Sequence, residues 1–143
     1  MSLPVAVIDT NVVVSGILTA EPTAPTVRIL DAMLKGRIAF LLSVDLLAEY
    51  QRVLIRPAIS RRHGLSEVEI SRVVAKLAQN GLICQPAEIA VALPDPGDAH
   101  LWALLATQET AVLVAGDAAL RASPPARWKV LTPAAFAALL DAK

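Results

Sequence analysis

The stretch Val5-Ala6-Val7-Ile8-Asp9-Thr10-Asn11 decides the fold that the sequence predicts. Its first four residues are apolar and mostly β-branched, which is typical of a strand buried on both faces of a parallel sheet. Asp9 follows directly, at the carboxyl end of that strand, where open α/β sheets form their ligand sites. Thr10 and Asn11 are predicted to cap the next helix, residues 12–18. This stretch alone leaves two interpretations of Asp9 open, a ligand-site residue or a helix-start residue.

Beyond this stretch, short apolar strands alternate with amphipathic helices. Further strands are predicted at residues 38–42, within 82–92, at 111–115 and at 128–131. Helices are predicted at residues 26–35, 44–56, 66–78, 98–108 and from 133 onward, with a loop or short helix at 58–64 and a helical turn at 118–121. Ser43, Ser66 and Thr132 are the predicted helix caps. The alternation predicts one domain, residues 1–143, with a Rossmann-like three-layer α/β/α sandwich around a central, mostly parallel sheet.

The composition narrows the class of protein. Hydrophobic residues make up 55% of the chain, and the mean hydropathy is +0.57. No apolar run approaches the roughly 20 residues of a membrane span, and residues 1–4 do not begin a signal peptide. The single cysteine, Cys84, is compatible with a reducing compartment. We therefore expect a cytoplasmic protein without a membrane partner, whose high apolar content suggests a second copy or another protein partner.

The net charge is zero, with 13 basic and 13 acidic residues, so strong nonspecific nucleic-acid binding is not predicted. The charge is unevenly distributed, however. Residues 50–76 carry six basic and two acidic residues, a local excess of +4. A solvated helical face and a nucleic-acid contact are both open interpretations of this segment.

Acidic residues form the candidate chemical site. Asp9, Asp98 and Asp117 fall at strand ends or helix starts, and Glu49 lies in the helix after the second strand. Each has a local alternative, such as an ion pair of Glu49 with Arg52 or helix-end roles for the aspartates. If the strands are parallel, the three aspartates converge on one edge of the sheet. Clustered carboxylates repel one another unless a cation neutralises them, and hard oxygen ligands suit Mg²⁺ or Mn²⁺.

Other ligand sets and nucleophiles are not apparent. The two histidines, His63 and His100, form no HxxxH pattern, and the sequence has no CxxC, GxSxG or GxxxxGK[ST] motif. A carboxylate–metal site without a built-in nucleophile most simply activates water, and attack on a phosphodiester is its natural use.

Five motifs in this sequence resemble those of the PIN-domain family, specifically the VapC-like toxin components of toxin–antitoxin systems. They are Val7-Ile8-Asp9-Thr10-Asn11-Val12-Val13-Val14-Ser15, Leu42-Ser43-Val44-Asp45-Leu46-Leu47-Ala48-Glu49, Asp95-Pro96-Gly97-Asp98-Ala99-His100-Leu101, Val114-Ala115-Gly116-Asp117-Ala118-Ala119-Leu120 and Leu131-Thr132-Pro133-Ala134-Ala135-Phe136. Their order and spacing cover nearly the whole chain. The resemblance implies a Mg²⁺- or Mn²⁺-dependent endoribonuclease and a cognate antitoxin partner.

The resemblance also assigns roles to residues. It implies that the catalytic acids and metal ligands are Asp9, Glu49, Asp98 and Asp117. Asn11 and Ser15 match supporting polar positions of the family, and Asp95 is placed beside the ligands as a helix cap. One departure is Ala115, where many relatives have a hydroxyl residue before Gly-Asp.

Arg52, Arg56, Arg61 and Arg62 are predicted to contact RNA phosphates, because arginine pairs well with phosphate and these residues follow Glu49.

Two alternatives to a ribonuclease remain open. Ala115 and the neutral charge are compatible with a non-catalytic module that binds RNA or protein. The other alternative is a different Mg²⁺ enzyme on a similar sheet, such as a phosphatase or a phospho-receiver. A phosphatase with an aspartyl nucleophile would want Asp-x-Asp, and here Asn11 occupies the second position. A phospho-receiver would need an early acidic pair and a phosphoacceptor aspartate after the middle strand, which are not found.

Overall fold

Parallel strands form the centre of the molecule in the computed structural model, which describes residues 3–86, 99–116 and 129–141. The strands are β1 (Ala6–Ile8), β2 (Leu41–Leu42), β3 (Leu82–Ile83), β4 (Val112–Val114) and β5 (Lys129–Leu131). One sheet has the order β1-β4-β5 and the other pairs β2 with β3, all in parallel. A parallel bridge between Ala6 and Phe40 connects the two sheets. The resulting order is β3-β2-β1-β4-β5, with β1 near the centre.

Helices cover this sheet, and the described ranges contain seven of them. They are α1 (Thr10–Leu18), α2 (Pro25–Leu34), α3 (Val44–Leu54), α4 (Pro57–His63), α5 (Glu67–Asn80), α6 (Ala99–Leu105) and α7 (Pro133–Asp141). Helix α6 packs against β1, β2 and β4, while α2 packs against α1, α5 and α7. The three-layer α/β/α fold with a parallel sheet is therefore confirmed. None of these helices is long and apolar enough to cross a membrane.

The two central strands are buried along their whole length, as their β-branched sequences predict. Every residue of β1 is fully buried, and β4 is nearly so. The largest fully buried side chains include Trp102, Tyr50, Phe40 and Phe136. Burial of such a side chain stabilises the fold by about 1.5–3 kcal/mol. Because β1 and β4 are paired and buried, their carboxyl ends lie side by side at a fixed position.

The predicted helix caps are confirmed where the local sequence specifies them. Ser43 Oγ accepts a hydrogen bond from the Leu46 N–H at 3.0 Å, and Thr132 Oγ1 accepts one from the Ala135 N–H at 3.0 Å. Ser66 and Glu69 form a reciprocal capping box at the start of α5. These bonds satisfy N–H groups that a helix start otherwise leaves without partners.

Three sequence predictions need correction or completion. Helix α1 begins at Thr10 with Asp9 in the N-cap position, so the predicted capping by Thr10 and Asn11 is wrong. Helix α3 ends at Leu54, because Arg56 adopts the extended backbone, ψ 136°, that a residue before proline prefers. Residues 57–63 form the short helix α4, which the sequence left open. The predicted turn at 118–121 and the end of the 82–92 segment lie outside the described residues.

Gly81 allows β3 to approach β2 closely. A Cβ atom on Gly81 would lie 2.5 Å from Leu42 Cδ1 and 2.7 Å from Phe40 Cε2, both side chains of the buried core. Any larger residue would therefore push the two strands apart. Placing glycine directly after α5 lets the chain enter the sheet beside β2.

Candidate active site

Asp9 lies at the carboxyl end of β1 and is only 7% exposed. Its backbone N–H donates to the Val114 carbonyl oxygen at 3.0 Å, which ties it to the end of β4. It occupies the N-cap position of α1, but its carboxylate accepts no hydrogen bond from the first turn of that helix. Asp9 therefore takes the N-cap position through its backbone alone.

Glu49 is brought to the same edge from helix α3. Thr10 Oγ1 donates a short hydrogen bond to Glu49 Oε2, although the two residues are 39 positions apart. Glu49 Oε1 lies 3.7 Å from His100 Nε2 of α6 and 3.9 Å from Arg52 Nη2. The Glu49–Arg52 ion pair that the sequence offered as an alternative is thus present, but it shares Glu49 with Thr10 and His100. Helices α1, α3 and α6 meet at this carboxylate.

Tyr50 lies beneath the two acids and is fully buried. Its hydroxyl donates to the Ile8 carbonyl oxygen at 2.5 Å. Burial raises the pKa of Tyr50 well above its usual value, and the negative charges of Asp9 and Glu49 raise this pKa further. The phenol is therefore a neutral hydrogen-bond donor at physiological pH. The charges of Asp9 and Glu49 therefore act on the same buried phenol.

The contacts of Glu49 and Tyr50 form a bracket around Asp9. Two consecutive residues of α3 bind the residues on either side of Asp9, since Tyr50 contacts Ile8 and Glu49 contacts Thr10. Toward β4, the end of β1 is fixed by the Asp9–Val114 backbone bond. The backbone on both sides of Asp9 is consequently fixed.

The other predicted site residues are placed as follows. Asp95, Asp98 and Asp117 lie outside the described residues; in sequence, Asp98 directly precedes α6 and Asp117 directly follows Gly116. Asn11 is exposed in the first turn of α1. The Ser15 hydroxyl lies within hydrogen-bonding distance of Thr26 Oγ1, at 3.1 Å, and of Thr19 Oγ1, at 3.4 Å.

The four predicted RNA-contacting arginines are all exposed. Arg52 lies beside Glu49, whereas Arg56, Arg61 and Arg62 belong to α4 or its N-cap. Within the part of the chain that the structure describes, these last three make no ion pair with an acidic residue. Helix α4 contacts α1 and α3, the two helices that carry the bracket. Helix α4 and its arginines therefore lie next to the two helices that contribute Thr10 and Glu49 to the candidate site.

Asp9 and Glu49 fit a hard divalent cation, because both offer carboxylate oxygens at one sheet edge and one of them is buried. No cluster of three or more His, Cys, Asp or Glu residues occurs within residues 3–86, 99–116 and 129–141. Asp98 and Asp117, the other ligands that the sequence predicts, lie outside those ranges.

Sequence reasoning missed three residues that contact this site: Thr10, Tyr50 and His100. Thr10 and Tyr50 are neighbours of the predicted acids Asp9 and Glu49, and this adjacency was the available signal. His100 follows Asp98 by two positions. Its Nδ1 atom is buried and has no hydrogen-bond partner among the described residues, while Nε2 lies 3.7 Å from Glu49 Oε1.

Comparison with known families agrees with this geometry. A family model described as the PIN domain matches residues 5–119, a range that includes β1 through β4 and all four predicted acids. No curated protein matches the chain. The family match indicates a nuclease-type function, and proteins of this family generally use divalent metal ions.

Proposed function

This chain belongs to the PIN-domain family, and we propose that it is an endoribonuclease that hydrolyses RNA phosphodiesters with Mg²⁺ or Mn²⁺. The observation that carries the proposal is the hydrogen bond from Thr10 to Glu49. It joins a carboxylate from a distant helix to the turn that presents the buried Asp9. Two carboxylates at one strand edge offer the hard oxygen ligands that suit Mg²⁺ or Mn²⁺.

In this proposal Asp9, Glu49, Asp98 and Asp117 hold the ion. When bound, a divalent cation supplies positive charge against the phosphate and polarises the attacking water. Thr10 donates to Glu49 Oε2 and so fixes the orientation of this carboxylate. Tyr50 fixes the backbone that carries Asp9. Hydrolysis leaves a 5′-phosphate and a 3′-hydroxyl, and Arg52, whose Nη2 lies 3.9 Å from Glu49 Oε1, is proposed to contact the phosphate.

The test is cleavage of a mixed RNA pool with Mg²⁺, Mn²⁺ or EDTA. Asp9→Asn and Glu49→Gln should each lower the metal-dependent rate by about 100-fold or more, since charge stabilisation of the transition state is lost. Glu109→Gln is the matched control, because Glu109 is an exposed acid close before the amino end of β4. Equal activity of all four proteins would refute the assignment.

A non-catalytic module is the second candidate, and Ala115 is the observation that favours it. Ala115 is fully buried at the end of β4, with its N–H bonded to the Leu131 carbonyl oxygen at 3.0 Å. It cannot supply the hydroxyl found in many relatives. Metal titration separates the candidates, because a nuclease should bind Mn²⁺ in a manner that Asp9→Asn abolishes, and a module should not.

We also propose that the protein is the toxin of a toxin–antitoxin pair in the cytoplasm. The support is the resemblance of its five motifs to such toxins. Expression of the wild-type chain in a bacterial host should arrest growth, and Asp9→Asn should relieve the arrest. Normal growth with active, soluble wild-type protein would argue against this role.

A homodimer is proposed for the same protein. Large apolar side chains remain exposed on the described surface, and the most exposed are Val44, Val68, Leu82 and Ile83. A second copy would remove such side chains from water. Light scattering on the purified protein should give twice the mass of the chain, and a monomer across the micromolar range would contradict the proposal.

A further inference from the structure

A pocket of about 320 Å³ opens beside the candidate active site. It is lined by Asn11, Val12, Ser15, Thr26, Gly116 and Pro133. Asn11 lies two positions after Asp9, and Gly116 directly precedes Asp117. The pocket therefore adjoins the edge at which the acids are proposed to act. None of the described residues that line it is charged.

One wall of the pocket is a pair of hydroxyl groups. Ser15 Oγ of α1 lies 3.1 Å from Thr26 Oγ1 of α2. Gly16 makes this approach possible, because a Cβ atom there would lie 2.8 Å from the Thr26 carbonyl oxygen and 2.9 Å from Leu30 Cβ. Each hydroxyl has one donor and two acceptor positions, so the bond between them leaves capacity for a ligand.

The remaining walls are apolar or open. Val12 and Pro133 contribute apolar surface, and Gly116 contributes no side chain. A Cβ atom on Gly116 would meet no heavy atom of the described residues within 4 Å. The exposed amide of Asn11 adds a donor and an acceptor near the mouth.

We propose that this pocket binds one nucleoside, the sugar and base next to the phosphate on which the carboxylates act. The apolar surface suits the face of a base, while the hydroxyl pair and the Asn11 amide suit sugar hydroxyls or a base edge. A phosphate group would favour a cation or a charged donor, and the six described lining residues provide neither. The volume is near the lower end of about 300–1,000 Å³ for ligand pockets, which fits one small ligand. The identification of the ligand as part of RNA rests on the proposed function.

The test measures binding without catalysis. The metal-free protein is titrated with each of the four ribonucleosides and, separately, with inorganic phosphate, while its backbone amide NMR signals are recorded. At least one nucleoside should cause saturable shifts at Asn11, Ser15 and Gly116, and phosphate should not. Thr26→Val keeps the side-chain shape, removes one hydroxyl, and should weaken binding by about fivefold or more. Thr23→Val is the matched control, since Thr23 is exposed and bonded to Glu21 outside the pocket.

Absence of shifts with all four nucleosides, or shifts at these residues with phosphate alone, would overturn the proposal. If Thr26→Val does not fold, Ser15→Ala makes the same test from the other side of the hydroxyl pair. The outcome is separate from that of the cleavage assay. Nucleoside binding in a protein that does not cut RNA would refute only the nuclease, and RNA cleavage without nucleoside binding would refute only the pocket assignment.

Discussion

At the scale of single residues, the hydrogen bond from Tyr50 to the Ile8 carbonyl oxygen fixes the backbone directly before Asp9. Tyr50→Phe removes the donor to the Ile8 carbonyl oxygen and leaves that oxygen buried without its side-chain partner. We expect the free energy of unfolding to fall by about 1–3 kcal/mol. Urea denaturation at neutral pH measures this change. The same variant should also bind Mn²⁺ more weakly, and unchanged stability together with unchanged Mn²⁺ affinity would show that the contact has no positioning role.

The raised pKa of Tyr50 predicts an alkaline stability limit. Above the ordinary tyrosine pKa of 10.0, the unfolded chain loses the phenolic proton while the folded chain retains it. The folded state then binds more protons, so its stability decreases as the pH rises. Because Tyr50 is the only tyrosine, absorbance near 295 nm reports its ionisation directly. We expect ionisation to coincide with unfolding measured by circular dichroism; ionisation in the still-folded protein near pH 10 would contradict the prediction.

Sequence reasoning located Asp9 because a local pattern, an apolar strand followed by an acid, was sufficient. It could not find the bracket. The contacts of Tyr50 with Ile8 and of Glu49 with Thr10 join residues 42 and 39 positions apart. Such contacts depend on how α3 crosses the end of β1, and no local pattern encodes that crossing. The ligand roles predicted for Asp9, Glu49, Asp98 and Asp117 all remain predictions.

At the scale of secondary structure, the start of α5 offers a matched comparison. Ser66→Ala removes the hydroxyl that accepts the Glu69 N–H at 3.1 Å, and should cost about 0.5–2 kcal/mol of stability. Ser71→Ala changes the same residue type inside the helix, at an exposed position, where alanine has the higher helix propensity. Thermal unfolding should therefore show a lower Tm for Ser66→Ala only. Equal shifts in both variants would mean that the capping box contributes nothing.

Capping boxes and strand patterns were predictable because their determinants lie within a few residues. The division of residues 44–63 into α3 and α4 was less so. Pro57 predicted the end of one helix, but the chain resumes a helix at once, with Pro57 in its first turn. A proline can follow the end of a helix or occupy the first turn of a new one. The contacts of α4 with α1 and α3 favour the new helix at residues 57–63.

At the scale of the whole molecule, a neutral protein can still bind RNA if its charge is separated. Arg61→Ala with Arg62→Ala should weaken RNA binding and reduce the dependence of log K on log salt by about 1.4, given about 0.7 per phosphate contact on a single strand. Arg37→Ala with Lys129→Ala removes the same charge from exposed positions at the amino ends of β2 and β5, and is the control. Equal slopes for the two double variants would show that only net charge matters.

Because α3 forms the bracket around Asp9, the candidate site is complete only when α3 is packed against the end of β1. Since neighbouring residues of one helix hold both flanks of the acid, detachment of α3 releases Glu49, Ile8 and Thr10 in a single event. A chain still emerging from the ribosome, or one partly opened by a protease, then lacks the site altogether. In the proposed nuclease, activity should therefore be lost when α3 detaches and return only when the helix docks again.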